Sequence, residues 1–191
     1  VIDLEPGHTK DHPKVRRIKH PHLAHEFYRV LCGTACITDL LAPLIGSNIR
    51  LRSGGKVNMK SAHFGAPVEW HQDWAFYPHT NDDVLAAGVL LDDMTLDNGP
   101  LMVLPGSHKG QIYDHHSGGA FCGAIDPTAN DIDFNQAVPL TGKAGSMTIH
   151  HARLVHGSEP NNSGGQRRLL LYEYTAADAW PMAGVEPLSN F

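Results

Sequence analysis

The residues best suited to chemistry lie in the segment WHQDW at 70–74, which holds His71 and Asp73 two positions apart. Another histidine, His156, begins a His-Gly-Ser tripeptide far downstream. Two imidazoles and one carboxylate form the ligand set with which non-haem Fe(II) oxygenases hold one face of the metal. Three protein ligands leave about three positions open on six-coordinate iron. These residues therefore form a candidate metal site with room for other ligands.

The spacing within this segment indicates how two ligands could share one site. Side chains two positions apart on a strand point to the same face, so a strand over 68–76 directs His71 and Asp73 together and Gln72 away. His156 must come from another strand, and a β-barrel brings such strands to facing positions. The His-x-Asp pair is a weak signal by itself, because it also describes a surface histidine beside a solvated aspartate.

Residues around these ligands predict the wall of a substrate pocket. Aromatic residues flank the ligands, and two polar residues lie on the preceding predicted strand. Aromatic side chains favour a small, partly apolar substrate. The pocket residues predicted on these grounds are Asn58, Lys60, Trp70, Trp74 and Phe76.

A cationic residue follows His156 at a distance that suits an antiparallel return. A turn at 161–165 would bring Arg167 into the next strand beside His156. A guanidinium binds a carboxylate through two parallel hydrogen bonds, which suits the distal carboxylate of 2-oxoglutarate. Ser158 is placed to donate its hydroxyl to the same group. Arg167 and Arg168 should face opposite ways on a strand, and a surface salt bridge is the alternative role for either.

Composition restricts the classes of function. The chain has 191 residues, 41% hydrophobic and 18% charged, which is typical of one globular domain. Its net charge of −5 and the lack of a basic face argue against a nucleic-acid partner. No apolar run is expected to approach the roughly 18 residues of a membrane span. Without a visible signal segment, we expect a cytoplasmic protein acting on a small molecule. The sequence leaves open whether further residues precede Val1 and what the oligomeric state is.

The pattern of elements predicts a mostly β protein. A polar stretch at 1–20 is predicted to be an irregular arm, and two helices should begin near Pro21 and Thr34. From Asn48 the hydrophobic period changes to two, giving roughly eight short strands, while 111–133 reads as a long, mobile loop. We therefore expect one domain over 1–191, a double-sheet barrel of the jelly-roll kind. Its three cysteines are predicted to be buried free thiols.

Three separated blocks resemble the phytanoyl-CoA dioxygenase family: WHQD at 70–73, DNGPLMVLPGSHKG at 97–110, and GSMTIHHARLVHGSEPNNSGGQRR at 145–168. The resemblance implies a cupin-like double-stranded β-helix with N-terminal helices packed on the outside. It also implies the iron ligands and the co-substrate anchor. The ligands would be His71, Asp73 and His156, and the 2-oxoglutarate anchor would be Arg167 assisted by Ser158.

The resemblance further implies an Fe(II)- and 2-oxoglutarate-dependent dioxygenase. Such an enzyme uses O2 to hydroxylate a small organic or acyl substrate and releases succinate and CO2. Related halogenases lack the ligand carboxylate, so the presence of Asp73 favours hydroxylation. Two alternatives stay open, namely a hydrolytic barrel holding zinc or another divalent metal, and a non-catalytic barrel that binds a metal or a small acid. A purely structural interaction domain would leave the three motifs unexplained.

Overall fold

A computed structural model describes residues 1–182 of the chain, so residues 183–191 of the predicted single domain lie outside the described residues. The helices are α1 (Pro21–Ala24), α2 (Glu26–Leu31) and α3 (Ala35–Ile45). The strands are β1 (Ile2–Leu4), β2 (Val15–Lys19), β3 (Ile49–Lys60), β4 (Val68–His71), β5 (Val84–Leu90), β6 (Leu101–Val103), β7 (His116–Ser117), β8 (Ala120–Phe121), β9 (Val138–Leu140), β10 (Met147–His151), β11 (His156–Ser158) and β12 (Arg167–Ala176).

These strands form two main antiparallel sheets and a small hairpin. One sheet has the order β1-β2-β3-β12-β5-β10, and the other has the order β4-β11-β6-β9. The predicted mostly β double-sheet fold is confirmed, with 35% strand and 16% helix. Strands distant in sequence are therefore neighbours, and β11 lies beside β4.

The large sheet separates the hydrophobic core from the site. On its outer face, α3 buries Ile37 and Leu41 in one cluster with Leu170 and Tyr172 of β12. Burying each of these side chains stabilises the fold by about 1.5–3 kcal/mol. Alternate residues of β12, beginning with Arg167, line a cavity on the other face. One face of β12 therefore packs against the helices, and its other face contributes residues to the cavity.

The N-terminal segment differs from the irregular arm expected from the sequence. Strands β1 and β2 form a hairpin that extends the large sheet at β3. Both strands are short and partly exposed at the edge of the sheet, so polar residues obscure their periodicity. The hairpin places Arg17 opposite Asn58.

The helical segment also differs from the prediction. His25 is extended (φ −154°, ψ 134°), which divides the first predicted helix into α1 and α2. By length and composition alone, Glu26–Ile45 could cross a membrane, contrary to our expectation that no segment would reach that length. This is weak evidence for a membrane span, because a soluble protein's core helix passes the same test and α3 buries three residues in the core. The cytoplasmic location stays a prediction.

The segment 111–133 contains the β7–β8 hairpin rather than structureless chain. Its residue Ile125 is buried in a cluster with Leu104 and Val155. The mobility expected for this segment stays a prediction. Of the cysteines, Cys36 and Cys122 are free but exposed, whereas the sequence suggested buried thiols. Cys36 lies on α3 outside the face that buries Ile37 and Leu41, and Cys122 follows the exposed strand β8.

Candidate active site

The structure brings His71, Asp73 and His156 together between two paired strands. His71 ends β4, His156 begins β11, and the two residues are direct partners in the sheet. One donor atom from each of the three residues lies within 4.8 Å of the others. Asp73 Oδ1 lies 3.7 Å from His71 Nε2, and Asp73 Oδ2 lies 4.0 Å from His156 Nε2. This spacing suits three ligands of one metal ion.

Asp73 lies just beyond the strand rather than within it, as the sequence had suggested. Strand β4 ends at His71, Gln72 stays extended, and Asp73 starts a 3-10 turn over Asp73–Ala75. The extended Gln72 preserves the same-face relation that a full strand would give. The predicted same-face relation between the two candidate ligands therefore holds, although Asp73 is not part of the strand.

Both histidines are oriented by backbone carbonyls. His71 Nδ1 lies 2.7 Å from the carbonyl oxygen of Glu69, and His156 Nδ1 lies 2.8 Å from that of Leu154. A proton on Nδ1 donated to these carbonyls leaves each Nε2 lone pair free for a metal. Burial lowers the pKa of His71 and holds the pKa of His156 well below its usual range. Both rings are therefore neutral near pH 7, as metal ligands must be.

The carboxylate of Asp73 lies among three histidines. His150 Nε2 approaches Asp73 Oδ2 to 3.5 Å, and His150 itself is buried. Burial alone would raise the pKa of Asp73, but the contact with His150 and the proximity of the His156 ring hold that pKa well below its usual range. Asp73 is therefore ionised, and the group offers two neutral nitrogens and one anionic oxygen. This donor set fits Fe(II).

Arg167 and Ser158 line the same cavity as the three candidate ligands. Ser158 follows His156 by two positions on β11, so both side chains share one face. Arg167 is only 2% exposed and Ser158 8% exposed. Among the described residues, neither Arg167 Nε nor Ser158 Oγ has a hydrogen-bond partner. Buried polar atoms without partners are costly, so they fit an anionic ligand that would satisfy them.

Gly99 and Lys60 position Arg167, and sequence reasoning did not identify the role of Gly99. Arg167 Nη2 donates to the carbonyl oxygen of Gly99 at 2.6 Å. Gly99 has φ 75°, and a Cβ there would lie 2.4 Å from the carbonyl oxygen of Glu159. Only glycine fits this close approach. Lys60 pairs with Arg167 in the sheet and donates to the same Glu159 carbonyl.

The predicted pocket residues divide into two groups. Asn58 and Lys60 line the cavity, but Trp70 and Trp74 do not belong to its wall. Trp70 is adjacent to His71 on β4 and therefore points to the opposite face, where it packs on Phe134 with ring centroids 4.8 Å apart. Trp74 packs against the hydrophobic core behind the site. The alternation of the strand explains why an aromatic neighbour of a ligand need not face the substrate.

Phe76 lies at the outer edge of the site. Its ring meets that of His71 edge to face, with centroids 5.8 Å apart, and it is 44% exposed. It also contacts Phe121 of the β7–β8 hairpin, with centroids 5.1 Å apart. Phe76 thus contacts the ring of the candidate ligand His71 from outside rather than lining the cavity.

Gln72, between two candidate ligands, holds the adjacent loop in place. Its side-chain Nε2 donates to the carbonyl oxygens of Gln111 and Arg153, at 3.1 and 2.7 Å. Its Oε1 accepts from the backbone N–H of Tyr113 at 2.9 Å. The side chain is fully buried. Gln72 therefore fixes the ligand segment to the start of the long loop.

Replacing Gln72 with alanine is expected to lower the free energy of unfolding by about 2–4 kcal/mol. Three hydrogen bonds of about 1 kcal/mol each are lost, and buried backbone partners are left unpaired. Urea unfolding of the metal-free protein measures this loss. The exposed Gln166 gives the matched control, and Gln166→Ala should change stability by less than about 0.5 kcal/mol. A loss below about 1 kcal/mol in Gln72→Ala would contradict the anchoring role.

Comparison with known proteins agrees with the geometry. The family model described as Phytanoyl-CoA dioxygenase (PhyH) matches residues 3–169. The chain is 49% identical over 174 residues to a probable alpha-ketoglutarate-dependent hypophosphite dioxygenase of Stutzerimonas stutzeri, covering 89% of this chain and 60% of that protein. It is 33% identical over 189 residues to L-proline trans-4-hydroxylase of Streptomyces griseoviridis, covering 87% of this chain and 70% of that protein.

A solved structure shows the same fold. The apo form of EctD from S. alaskensis superposes with a TM-score of 0.74 at 26% identity, covering 92% of this chain and 60% of that chain. The present chain thus spans about three fifths of the hypophosphite dioxygenase and of EctD. The family model covers well over half of the chain, and the resemblance noted from the three sequence blocks is confirmed. The chain belongs to the phytanoyl-CoA dioxygenase family.

Proposed function

We propose that this protein is an Fe(II)- and 2-oxoglutarate-dependent dioxygenase that oxidises a small molecule and releases succinate and CO2. The observation that carries the proposal is the shared cavity. It joins two neutral histidines and an ionised aspartate to a buried arginine whose Nε has no partner among residues 1–182. A hydrolytic barrel would give no role to that arginine, and a non-catalytic barrel that binds a small acid would release no succinate.

Each residue of the site has a separable task. His71, Asp73 and His156 would hold the iron through two nitrogens and one oxygen. Bound Fe(II) would supply the activation of O2 that couples the decarboxylation of 2-oxoglutarate to the oxidation of the substrate. Arg167 and Ser158 would bind the distal carboxylate, since a charged bidentate pair fixes both position and orientation. The buried sheets around the cavity limit access of water to the reacting groups.

Two relatives, which align over 89% and 87% of this chain, are named for small molecules. One relative is named for hypophosphite and another for L-proline. Both are much smaller than an acyl-CoA thioester. We therefore extend the proposal to a small substrate, with hypophosphite as the first candidate because the relative named for it shares 49% identity with this chain.

Succinate release tests the proposed activity. The protein is incubated in air with Fe(II), ascorbate and 2-oxoglutarate, with hypophosphite, L-proline or no added substrate. Iron-dependent succinate is expected in all arms, because oxygenases of this kind slowly turn over the co-substrate alone, and one substrate should accelerate it. Absence of iron-dependent succinate in every arm would contradict the proposal.

Binding of 2-oxoglutarate should weaken as the pH rises above about 7. Burial, helped by the neighbouring Arg167, lowers the pKa of Lys60 to about 7. A carboxylate bound beside Lys60 would raise that pKa towards its ordinary value of about 10.4. At a pH between about 7 and this value, Lys60 therefore takes up a proton when 2-oxoglutarate binds. Affinity is then full below pH 7, and Kd rises by up to about tenfold per pH unit above it.

Calorimetry on the metal-loaded protein measures this pH dependence between pH 6 and 9. Buffers with different ionisation enthalpies reveal the proton taken up at pH 8. In Lys60→Met the proton uptake should disappear and the affinity should become independent of pH. An unchanged pH dependence in that variant would exclude Lys60 as the titrating group.

A further inference from the structure

The cavity carries more positive charge than iron and 2-oxoglutarate require. Five Lys and Arg side chains and three carboxylates line it. Two of the cations, Lys60 and Arg167, lie together at the co-substrate end. The charges of Fe(II) and of dianionic 2-oxoglutarate cancel each other. The lining cations therefore outnumber the lining carboxylates by two, and Lys56 and Arg17 are cations that do not belong to the co-substrate anchor.

Strand β3 spaces these charges along one face. Lys56, Asn58 and Lys60 alternate along the strand and all line the cavity, so neighbours in this row are about 7 Å apart. Lys60 pairs with Arg167, whereas Lys56 pairs with Leu171, two rows further along the same sheet. A small ligand held by Arg167 would therefore leave Lys56 free.

Lys56 lines the same cavity as the candidate metal ligands His71 and Asp73. It lies four residues along β3 from Lys60, which pairs with Arg167 at the co-substrate end. A group bound to Lys56 would therefore lie on the metal side of the cavity. This is where a substrate must present the bond that is oxidised.

The carboxylate that contacts Lys56 has other partners. Glu173 Oε1 lies 3.3 Å from Lys56 Nζ, while Glu173 Oε2 accepts from Arg52 Nη1 at 2.5 Å and from Ser53 Oγ at 3.4 Å. Arg52 alone can neutralise Glu173. Lys56 is therefore able to turn to an incoming anion without leaving a buried carboxylate unpaired.

Asn58 and Arg17 extend the same polar surface. Arg17 Nε donates to Asn58 Oδ1 at 3.1 Å, which fixes the amide so that its NH2 group faces away from Arg17. Within residues 1–182, Asn58 Nδ2 makes no hydrogen bond. Arg17 Nη1 lies 3.9 Å from Asp3, which Lys19 approaches more closely at 3.1 Å. The amide NH2 is thus a free donor between the two cations.

We propose that Lys56, Asn58 and Arg17 form the substrate subsite, and that the substrate is a small anion without a cationic group. Two of the three carboxylates of the cavity have partners, because Asp73 is a candidate metal ligand and Glu173 pairs with Arg52. The third, Glu5, is buried, and its Oε2 has no hydrogen-bond partner among the described residues. An ammonium group placed at Asn58, between Lys56 and Arg17, would be repelled by both cations. The inference deepens the proposed function and rests on it.

Anaerobic calorimetry tests the subsite on the protein loaded with Fe(II) and 2-oxoglutarate. The probes are hypophosphite, methylphosphonate, acetate and the zwitterion L-proline. At least one of the three anions should bind, and its Kd should rise at least tenfold in Lys56→Met, since a charge-assisted hydrogen bond is lost. L-Proline should bind more weakly than that anion. The phosphorus and carboxylate probes distinguish the two possible acid groups.

Three comparisons keep the test specific. Lys56→Arg should restore most of the affinity, and Lys143→Met, at an exposed lysine paired with Asp93, should leave it unchanged. Failure of every anion to bind, equal binding to Lys56→Met, or tighter binding of L-proline would overturn the inference. These outcomes are judged only if wild type first forms the visible Fe(II)–2-oxoglutarate charge-transfer band. Absence of that band would instead reject the proposed function.

Discussion

Replacing Asp73 with alanine is expected to weaken Fe(II) binding by about 100-fold or more. The change removes the anionic ligand and leaves His71, His150 and His156 around an uncharged gap. Loss of groups that merely orient a ligand costs about 10–100-fold in metal affinity, so loss of the ligand itself should cost at least as much. Anaerobic equilibrium dialysis of Fe(II) against the metal-free protein gives the affinity directly.

Asp114 provides the matched control, because it also contacts a histidine but lies on the surface. Its Oδ1 is 2.6 Å from His116 Nδ1, and its side chain is 73% exposed. Asp114→Ala should bind iron like wild type. If Asp73→Ala or Asp73→Gly retained iron and full hydroxylase activity, the assignment of Asp73 as a ligand would be wrong.

Replacing Arg167 with alanine is expected to raise the Kd for 2-oxoglutarate at least about 30-fold while iron binding is retained. Truncating one partner of a buried hydrogen-bonded charge pair costs about 2–5 kcal/mol, and about 2 kcal/mol corresponds to this factor. Burial lowers the pKa of Arg167 only to about 10, so the guanidinium is charged at pH 7. Calorimetric titration of the metal-loaded variant with 2-oxoglutarate measures the effect.

The variant Arg168→Ala distinguishes loss of the 2-oxoglutarate anchor from loss of a positive charge on the same strand. Arg168 points to the opposite face, where its Nε and Nη2 bind Asp92 at 2.9 and 2.6 Å. Arg168→Ala should therefore keep the wild-type affinity for 2-oxoglutarate. Equal losses in both variants, or no loss in Arg167→Ala, would refute the anchor. Arg167→Lys should recover only part of the affinity, because a lysine cannot form the bidentate pair.

The sequence correctly predicted the relations between residues that lie close together on one strand. The two-residue spacing of His71 and Asp73 and the opposite facing of Arg167 and Arg168 follow from strand geometry alone, and the structure has both relations. The same parity argument, applied to Trp70, would have placed that side chain away from the cavity. The aromatic cluster was misleading because composition was considered without the direction of each side chain.

Long-range pairing accounts for what the sequence could not predict. The contact between Arg167 and the Gly99 carbonyl joins two segments that local patterns do not relate, although the Asn-Gly turn itself is visible. Arg17 reaches Asn58 only because the N-terminal hairpin adds to β3. The two short strands of this hairpin mix polar with apolar residues, so their periodicity is weak. Charged residues at 14–19 therefore looked like part of a loose arm.

The central claim is that one cavity holds iron and 2-oxoglutarate together, and its most direct test is an anaerobic optical titration. Metal-free protein receives Fe(II) and then 2-oxoglutarate, and the visible metal-to-ligand charge-transfer band is recorded for wild type, Asp73→Ala and Arg167→Ala. We expect a saturable band in wild type that is weakened in both variants. Wild-type protein that binds iron but develops no band, or that binds no iron at all, would contradict the claim.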